Sequence, residues 1–309
     1  MREAHRVSDG AGLLAAFRAA VANLERHVDE INDLNVFPVP DGDTGSNMLA
    51  TVLVALEEAE SVADRSAGRV AGALSLGALM GARGNSGVIT SQICRGIAEG
   101  LDGKRRFTGM DLALALTRGA ELAYAAVGKP VEGTILTVIR EAAAAALAAA
   151  REQDDIEPVL AAAVAGAERA VAATPTLLAI LREAGVVDSG GQGVYRLLEG
   201  ALLHVHGRAD HESIPIWVRT GSRPASGATD DAEGFGYETM LVLEPHPGSR
   251  LDPDAIRRAF EAIGQSVVVV GDERAVKVHV HSEQPDDILS HALTMGTLSR
   301  ISVENLDQQ

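Results

Sequence analysis

Asp41 and Asp43 stand two residues apart in N-V-F-P-V-P-D-G-D-T-G-S-N-M, residues 35–48. In extended backbone, residues at that spacing point to the same side. Two carboxylates on one side can hold Mg²⁺, which takes one or two of them and fills its shell with water and phosphate oxygens. Pro38 and Pro40 stiffen the approach, while Gly42 and Gly45 leave the main chain bare. Gly45, Ser46 and Asn47 then open a helix expected from Asn47 to about Ala63. Its first N–H groups and its dipole favour anions. The chemistry indicated is phosphoryl transfer from a nucleotide. An EF-hand is excluded, because its fifth and twelfth positions would be Gly45 and Val52. D-G-D alone also fits an acidic turn with an N-cap.

Three further polar loops punctuate the chain: G-A-R-G-N-S-G at 81–87, K-P-V-E-G-T at 129–134 and D-S-G-G-Q-G at 188–193. The first has no Walker lysine and does not match G-x-S-x-G. Ser86 fits either a phosphate contact or the cap of a helix–helix turn, and Arg83 either pairs with phosphate or is solvated. Asp188 to Gly193 also fits an ordinary C-cap and turn. No G-x-G-x-x-G follows a strand, so a dinucleotide fold has little support. Near the far end, Lys277, His279 and His281 alternate along one strand and share a face. The two imidazoles could share a metal or a proton-transfer task, or lie on an exposed polar face.

The elements that must position these residues are helical up to about residue 206. Leu13, Leu14, Phe17, Val21, Leu24 and Val28 recur at three-to-four spacing, as an amphipathic helix requires. Helices are expected at 68–80, at 88–101, and from Thr108 to about Val127, where Thr108 and Asp111 form a capping box. Others are expected at 132–151, which holds an Ala-rich run, and at 158–173, 175–183 and 192–206. Alternate loops of an antiparallel bundle fall at one end, so the polar loops are expected to share one mouth. Residues 207–234 are small, polar and turn-rich and read as a linker. Strands at 237–243, 266–270, 276–281 and 298–303 then alternate with helices at 253–263 and 285–295. The order βαββαβ is the split βαβ, ferredoxin-like arrangement. The expected architecture is an all-α domain at 1–206, a linker at 207–234 and an α+β domain at 235–309.

Composition narrows the classes. The 309 residues are 46% hydrophobic but only 3% aromatic, which suits closely packed Ala-rich helices. A formal charge of -16 argues against sequence-independent nucleic-acid binding and against docking on anionic membranes. Cys94 is the one cysteine, so no internal disulfide can form, as befits a reducing cytosol. The N-terminus has no apolar signal core and no run reaches about 18 apolar residues, the length of a spanning helix. These features predict a cytoplasmic protein without membrane insertion.

The motifs L-N-V-F-P-V-P-D-G-D-T-G-S-N-M, G-A-R-G-N-S-G, E-G-T-I-L and V-V-D-S-G-G-Q-G occur in that order. In this the chain resembles the A component of bacterial fatty acid kinase. The first domain is similar to the ATP-binding L subunit of dihydroxyacetone kinase. The second, with G-Y-E-T-M and K-V-H-V-H-S, resembles the family's middle domain.

The resemblance implies an eight-helix barrel with Mg-ATP at one mouth. Asp41 and Asp43 would hold Mg²⁺ and serve as catalytic residues, with Asn35 near the position of a third ligand. Thr44, Gly45, Ser46 and Asn47 would line the phosphates, joined by Asn85, Ser86 and Gly87. Thr134 and Ile135 would contact nucleotide, and Asp188, Ser189 and Gly190 would close the adenosine side. The implied reaction moves the γ-phosphoryl group of ATP to a fatty acid presented by a separate fatty-acid-binding B protein. Some relatives have Cys where Glu238 stands, so Glu238, His279 and His281 form a candidate second metal site, with Zn²⁺ as the ion. A homodimer through the second domain is also implied. Full-length relatives continue into a further C-terminal domain implicated in engaging the B protein. This sequence ends at Gln309, so turnover is expected to be incomplete without that domain and partner. Two other readings stay open: the ATP-binding subunit of a dihydroxyacetone (glycerone) kinase, against which residues 235–309 argue, and a regulatory module that binds nucleotide without transferring phosphate.

Overall fold

The structure, a computed structural model, describes residues 7–208 and 236–306. Most of the linker expected at 207–234 lies outside the described residues. The chain divides into two compact units. Residues up to 124, with those from 131, form the first; residues 125–130 join the second.

The first unit carries ten helices among the described residues: α1 (Gly10–Arg26), α2 (Val28–Asp33), α3 (Thr44–Ser61), α4 (Ala67–Gly81), α5 (Gly84–Gly100), α6 (Gly109–Ala126), α7 (Ile135–Glu152), α8 (Ile156–Leu177), α9 (Ala179–Ala184) and α10 (Ser189–Val205). Two have only six residues, α2 and α9; the other eight have 15 or more and make the barrel. Neighbours follow a ring: α1 packs on α10, α10 on α8, α8 on α7, α5 on α4, α4 on α3 and α3 on α1. The ring closes through α6. Gly119 of α6 meets Gly96 of α5, and Arg140 of α7 donates to the Tyr124 hydroxyl of α6 at 2.8 Å. Such close approach needs small side chains, which is why Ala and Gly dominate the composition. Met48, Val52, Ala55, Val138, Ile139, Ala142 and Ala163 are fully buried.

Local signals behave as physics requires. The Thr108–Asp111 box forms, with the Thr108 N–H donating to Asp111 at 3.0 Å and the Asp111 N–H to the Thr108 hydroxyl at 3.3 Å. Three helices begin earlier than expected, at Thr44, Gly84 and Ser189 rather than Asn47, Val88 and Gln192. Glycine and serine lower helix propensity, yet a first turn held by tertiary contacts tolerates them. The break expected before Pro175 does not occur, and α8 runs through it. Proline removes the N–H that would bond the carbonyl four residues back. That carbonyl belongs to Val171, and the Thr174 hydroxyl takes it at 2.7 Å. A two-stranded ribbon, β1 (Val7–Asp9) with β2 (Arg106–Thr108), was not legible at three residues a strand.

The second unit contains β3 (Tyr237–Pro245), α11 (Pro253–Glu261), β4 (Gln265–Asp272), β5 (Ala275–Ser282), α12 (Pro285–Met295) and β6 (Gly296–Asn305). The sheet order is β4-β5-β3-β6, every pair antiparallel. β5 thus lies between the parallel strands β3 and β4, as the split βαβ expectation demands. One sheet face packs Leu241, Leu243, Val276, Val278 and Val280 with Ile256, Phe260 and Ile288 of the two helices. The other face carries Glu238, Met240, Lys277, His279 and His281, by the alternation of the strands. None of the described helices is long and apolar enough to cross a membrane.

Two glycines test the packing. A Cβ at Gly96 would sit 2.2 Å from the Gly119 nitrogen, whereas one at Gly72 meets nothing within 4 Å. Gly96→Ala is expected to destabilise the protein by about 1–3 kcal/mol through overpacking. Gly72→Ala is expected to stabilise it by about 0.8–1 kcal/mol through helix propensity. Urea unfolding of both variants measures the difference; equal midpoints would refute the close α5–α6 contact.

Candidate functional site

Four helix N-termini of the first unit converge. The Ser86 hydroxyl, in the first turn of α5, donates to the Thr44 carbonyl of α3 at 3.4 Å. The Ser189 hydroxyl, which opens α10, donates to the Thr44 hydroxyl at 3.2 Å. Asp188, the N-cap of α10, accepts from the Gly191 N–H at 2.7 Å and from the N–H of Ile135, the first residue of α7. α3, α5, α7 and α10 therefore present their amino ends to one place. Each such end carries roughly half a positive charge.

Glycines permit the approach. Gly84 has φ +54°, and a Cβ there would lie 2.3 Å from the Asn47 side-chain nitrogen. A Cβ at Gly87 would lie 2.4 Å from the Thr51 hydroxyl, and one at Gly193 2.4 Å from the Met48 sulfur. Asn85 contributes a buried Oδ1 that has no hydrogen-bond partner. A buried acceptor left without a donor is uncommon in a folded protein.

The paired carboxylates stand at the α3 edge of this convergence. Asn35 donates its Nδ2 to Asp41 Oδ1 at 2.5 Å, and the Asp43 N–H lies 3.4 Å from the same oxygen. Asn47 donates its Nδ2 to Asp43 Oδ2 at 2.6 Å. Asn35 and Asn47 thus hold the two carboxylates rather than facing outward beside them. Hard carboxylate oxygens are the donor type that Mg²⁺ takes.

Other expected residues have structural work as well. The Thr134 hydroxyl donates to the Val131 carbonyl at 2.7 Å, and Thr134 and Ile135 are buried. Asp188 is buried, and its carboxylate bridges the first turns of α10 and α7. The ordinary turn considered for 188–193 is instead this bridging cap followed by helix. Burial pushes the Asp188 pKa from 3.8 up to about 7, against the pull of the Gly191 and Ile135 amides.

Residues that the motifs did not single out support the site from behind. Asn32 of α2 accepts the Gly45 N–H at 2.7 Å and the Ser46 N–H at 3.2 Å, and donates to the Ser46 hydroxyl at 3.0 Å. Arg196, fully buried, reaches Glu30 of α2 at 3.1 Å and Glu199 at 2.9 Å. Gln192 donates to the same Glu30 at 2.6 Å. The available signal was Gln192, Arg196 and Glu199 at helical spacing on one side of α10. Asn32 carried no signal of its own.

In the second unit Glu238, His279 and His281 come together. Glu238 Oε2 lies 3.7 Å from His279 Nδ1 and 3.7 Å from His281 Nε2. Glu238 and His281 are cross-strand partners, and His279 faces Met240 two positions along. Lys277, His279 and His281 are all buried, so the exposed polar face does not form. Both ring nitrogens of His279 and Nε2 of His281 are buried without a hydrogen-bond partner. Burial pushes the His279 pKa down to about 4, against the pull of Glu238, so its ring is neutral at pH 7. Ligands about 2.0–2.1 Å from a tetrahedral ion lie roughly 3.3 Å apart, and here one candidate ligand atom from each of the three residues lies within 4.8 Å of the others. One carboxylate and two imidazoles fit a divalent metal.

Comparison with known proteins agrees with this division. A DAK2 domain model matches residues 38–203, and a FakA-like fatty acid kinase middle-domain model matches residues 234–309. Protein YloV of Bacillus subtilis is 39% identical over 313 residues, covering 98% of this chain and 56% of its own length. An uncharacterized protein of Staphylococcus haemolyticus is 39% identical over 293 residues, covering 93% of this chain and 53% of its own. One from Staphylococcus aureus is 37% identical over 296 residues, with 93% and 54% covered. The chain spans about half the length of these curated relatives.

The bridging cap of Asp188 makes stability depend on pH. Its folded-state pKa is raised, so the folded protein holds this proton more tightly than the unfolded chain. The contribution is fully present below pH 3.8 and is lost as pH rises through about 7. Relative to Asp188→Asn, the wild type is therefore expected to lose stability between those two values and then run parallel. Urea midpoints across that range check it, and a constant difference between the two proteins would contradict it.

Proposed function

The chain belongs to the family that joins a DAK2 domain to a FakA-like fatty acid kinase middle domain, and from that premise we propose that it is the ATP-using component of a fatty acid kinase. The observation that carries the reading is the meeting of the α3, α5, α7 and α10 amino ends beside Asp41 and Asp43. In the proposed reaction a carboxylate oxygen of the fatty acid attacks the γ-phosphorus of ATP. The bond from that phosphorus to the β,γ-bridging oxygen breaks, and acyl phosphate and ADP leave.

Each part of the site has a task in this reading. The first-turn N–H groups of α5 and α10, with the Ser86 and Ser189 hydroxyls, take the phosphate oxygens. Asn85 offers its orphaned acceptor to the nucleotide. Thr134 and Ile135 shape the wall that α7 presents, and Asp188 sets that wall against Ser189 and Gly190. Asp41 and Asp43 are the residues that would hold Mg²⁺, which would supply positive charge to offset that of the phosphates. Phosphoryl transfer needs positioning and charge stabilisation more than covalent help from the protein. A rigid set of helix ends is suited to both.

The acyl chain is taken to arrive on a separate fatty-acid-binding protein, and the compartment is taken to be the cytoplasm, where the free thiol of buried Cys94 is at home. Glu238, His279 and His281 are proposed as ligands of Zn²⁺ with a structural role in the second unit.

Asp41→Ala and Asp43→Ala are each expected to abolish Mg²⁺-dependent ATP binding while the helical circular dichroism spectrum is retained. Calorimetric titration checks this, and undiminished affinity in both variants refutes the assignment. With a lipid-loaded partner, hydroxamate trapping should detect acyl phosphate while dihydroxyacetone stays inert; rapid dihydroxyacetone phosphorylation reverses the reading.

A separate expectation concerns the second unit. Equimolar Zn²⁺ should raise the thermal midpoint of the wild type but not of His279→Ala, and Co²⁺ should give a visible ligand-field band. Absence of both effects leaves the cluster without a metal role.

A further inference from the structure

Asp43 is the N-cap residue of α3, yet its side chain makes no capping hydrogen bond. An aspartate in that position ordinarily turns its carboxylate back onto the N–H groups two and three residues ahead. Here those groups belong to Gly45 and Ser46, and Asn32 Oδ1 already occupies both, at 2.7 and 3.2 Å. The Asp43 carboxylate is instead held by Asn47 at 2.6 Å. Asn32 thus performs from α2 the duty that Asp43 would otherwise perform for its own helix.

The arrangement is tightly fitted. A Cβ at Gly45 would lie 2.6 Å from the Val28 carbonyl and 3.0 Å from Asn32 Oδ1. Only glycine at 45 lets α2 come close enough for Asn32 to reach the amides. α2 is in turn fixed to α10 through Glu30, Gln192 and buried Arg196. The Gly45 and Ser46 amides, which the resemblance assigns to phosphate, are both taken by Asn32 Oδ1 in this structure.

We infer that Asn32 is a positioning residue for the cation. By capping α3 from outside, it leaves the Asp43 carboxylate to Asn47 and off the amides of the helix end. This rests on the proposal that Asp41 and Asp43 hold Mg²⁺. Without Asn32 the two amides are bare, and the nearest carboxylate able to satisfy them is that of Asp43 itself. The helix would survive, capped in the ordinary way, and the cation would lose one of its two carboxylates.

The experiment measures the Mg²⁺ concentration that half-saturates ATP binding, by calorimetry on the whole chain. Asn32→Ala is expected to raise it about 10- to 100-fold, as loss of a group that orients a metal ligand does. Helical content should be unchanged, as should ATP affinity extrapolated to saturating Mg²⁺. Asn32→Asp keeps an acceptor oxygen for the amides and should restore near wild-type Mg²⁺ dependence. Combined with Asp43→Asn, which removes the anionic ligand, Asn32→Ala should add little further loss, since both act on one ligand. If Asn32→Ala does not fold, Asn32→Gln moves the carbonyl by one methylene and should show the same rise. Wild-type Mg²⁺ dependence in a folded Asn32→Ala or Asn32→Gln, with Asp43→Asn impaired, overturns the inference and leaves the metal assignment standing. No Mg²⁺ dependence in the wild type overturns both.

Discussion

The first unit is organised around one electrostatic constraint: four helices direct their positive ends at a common point. Each end carries roughly half a charge, so the arrangement repels itself unless something negative or strongly polar stands between the ends. Part of the compensation is internal. Asp188 lies across the ends of α10 and α7, Asn32 across the end of α3, and the Thr44 carbonyl and hydroxyl accept from Ser86 and Ser189. What the caps leave uncompensated is an attraction for an anion. In the proposed reading the same geometry costs the ligand-free fold some stability and supplies the attraction for the nucleotide.

Close approach is the second requirement, and it explains which residues sit where. Helix ends can meet only where backbones come nearer than ordinary side chains allow, hence Gly45 under Val28, Gly84 over Asn47 and Gly87 over Thr51. Rigidity comes from the opposite kind of residue. Arg196 is a fully buried cation fixed by Glu30 and Glu199, with Asn23 donating to the Arg196 carbonyl and to Glu199 at 2.8 and 2.9 Å. Removing both carboxylates would strand the Arg196 charge in the core, a cost of several kcal/mol. Such a network contributes modestly to net stability but defines one arrangement of α1, α2 and α10 sharply. A site that works by positioning needs that definition.

How much of this could be read from the sequence follows the range of each interaction. The helices, the βαββαβ order and the Thr108–Asp111 box depend on local periodicity and capping, and they were legible. So were the glycine-rich segments, whose composition has few other uses. Helix starts at Thr44, Gly84 and Ser189 were misplaced because local propensity opposes them and only distant contacts hold them. The run of α8 through Pro175 was missed because its compensation is a side-chain hydroxyl one residue away. Asn32 was invisible for a deeper reason. It acts through space, at a separation of 13 residues from Gly45, and an asparagine in an acidic helix has no distinguishing neighbours. The burial of Lys277, His279 and His281 was likewise beyond reach, since alternation fixes a shared face but not what covers it.

The overall charge of -16 conflicts with a site for a polyanion only if charge is treated as a bulk property. At physiological salt, exposed charges are screened beyond about 8 Å, so distant surface carboxylates contribute little at the mouth. Helix ends act within their first turn, where the anion would sit. They also differ in kind from lysine or arginine side chains. A peptide dipole does not titrate, loses no rotamer freedom on binding and stays directed when the ligand leaves. An acidic protein built this way still cannot bring two carboxylates and a phosphate together unaided, because the three repel. In the proposed reading a divalent cation resolves that conflict, which makes the orientation of Asp43, and so the residue that caps α3 in its place, central to the design.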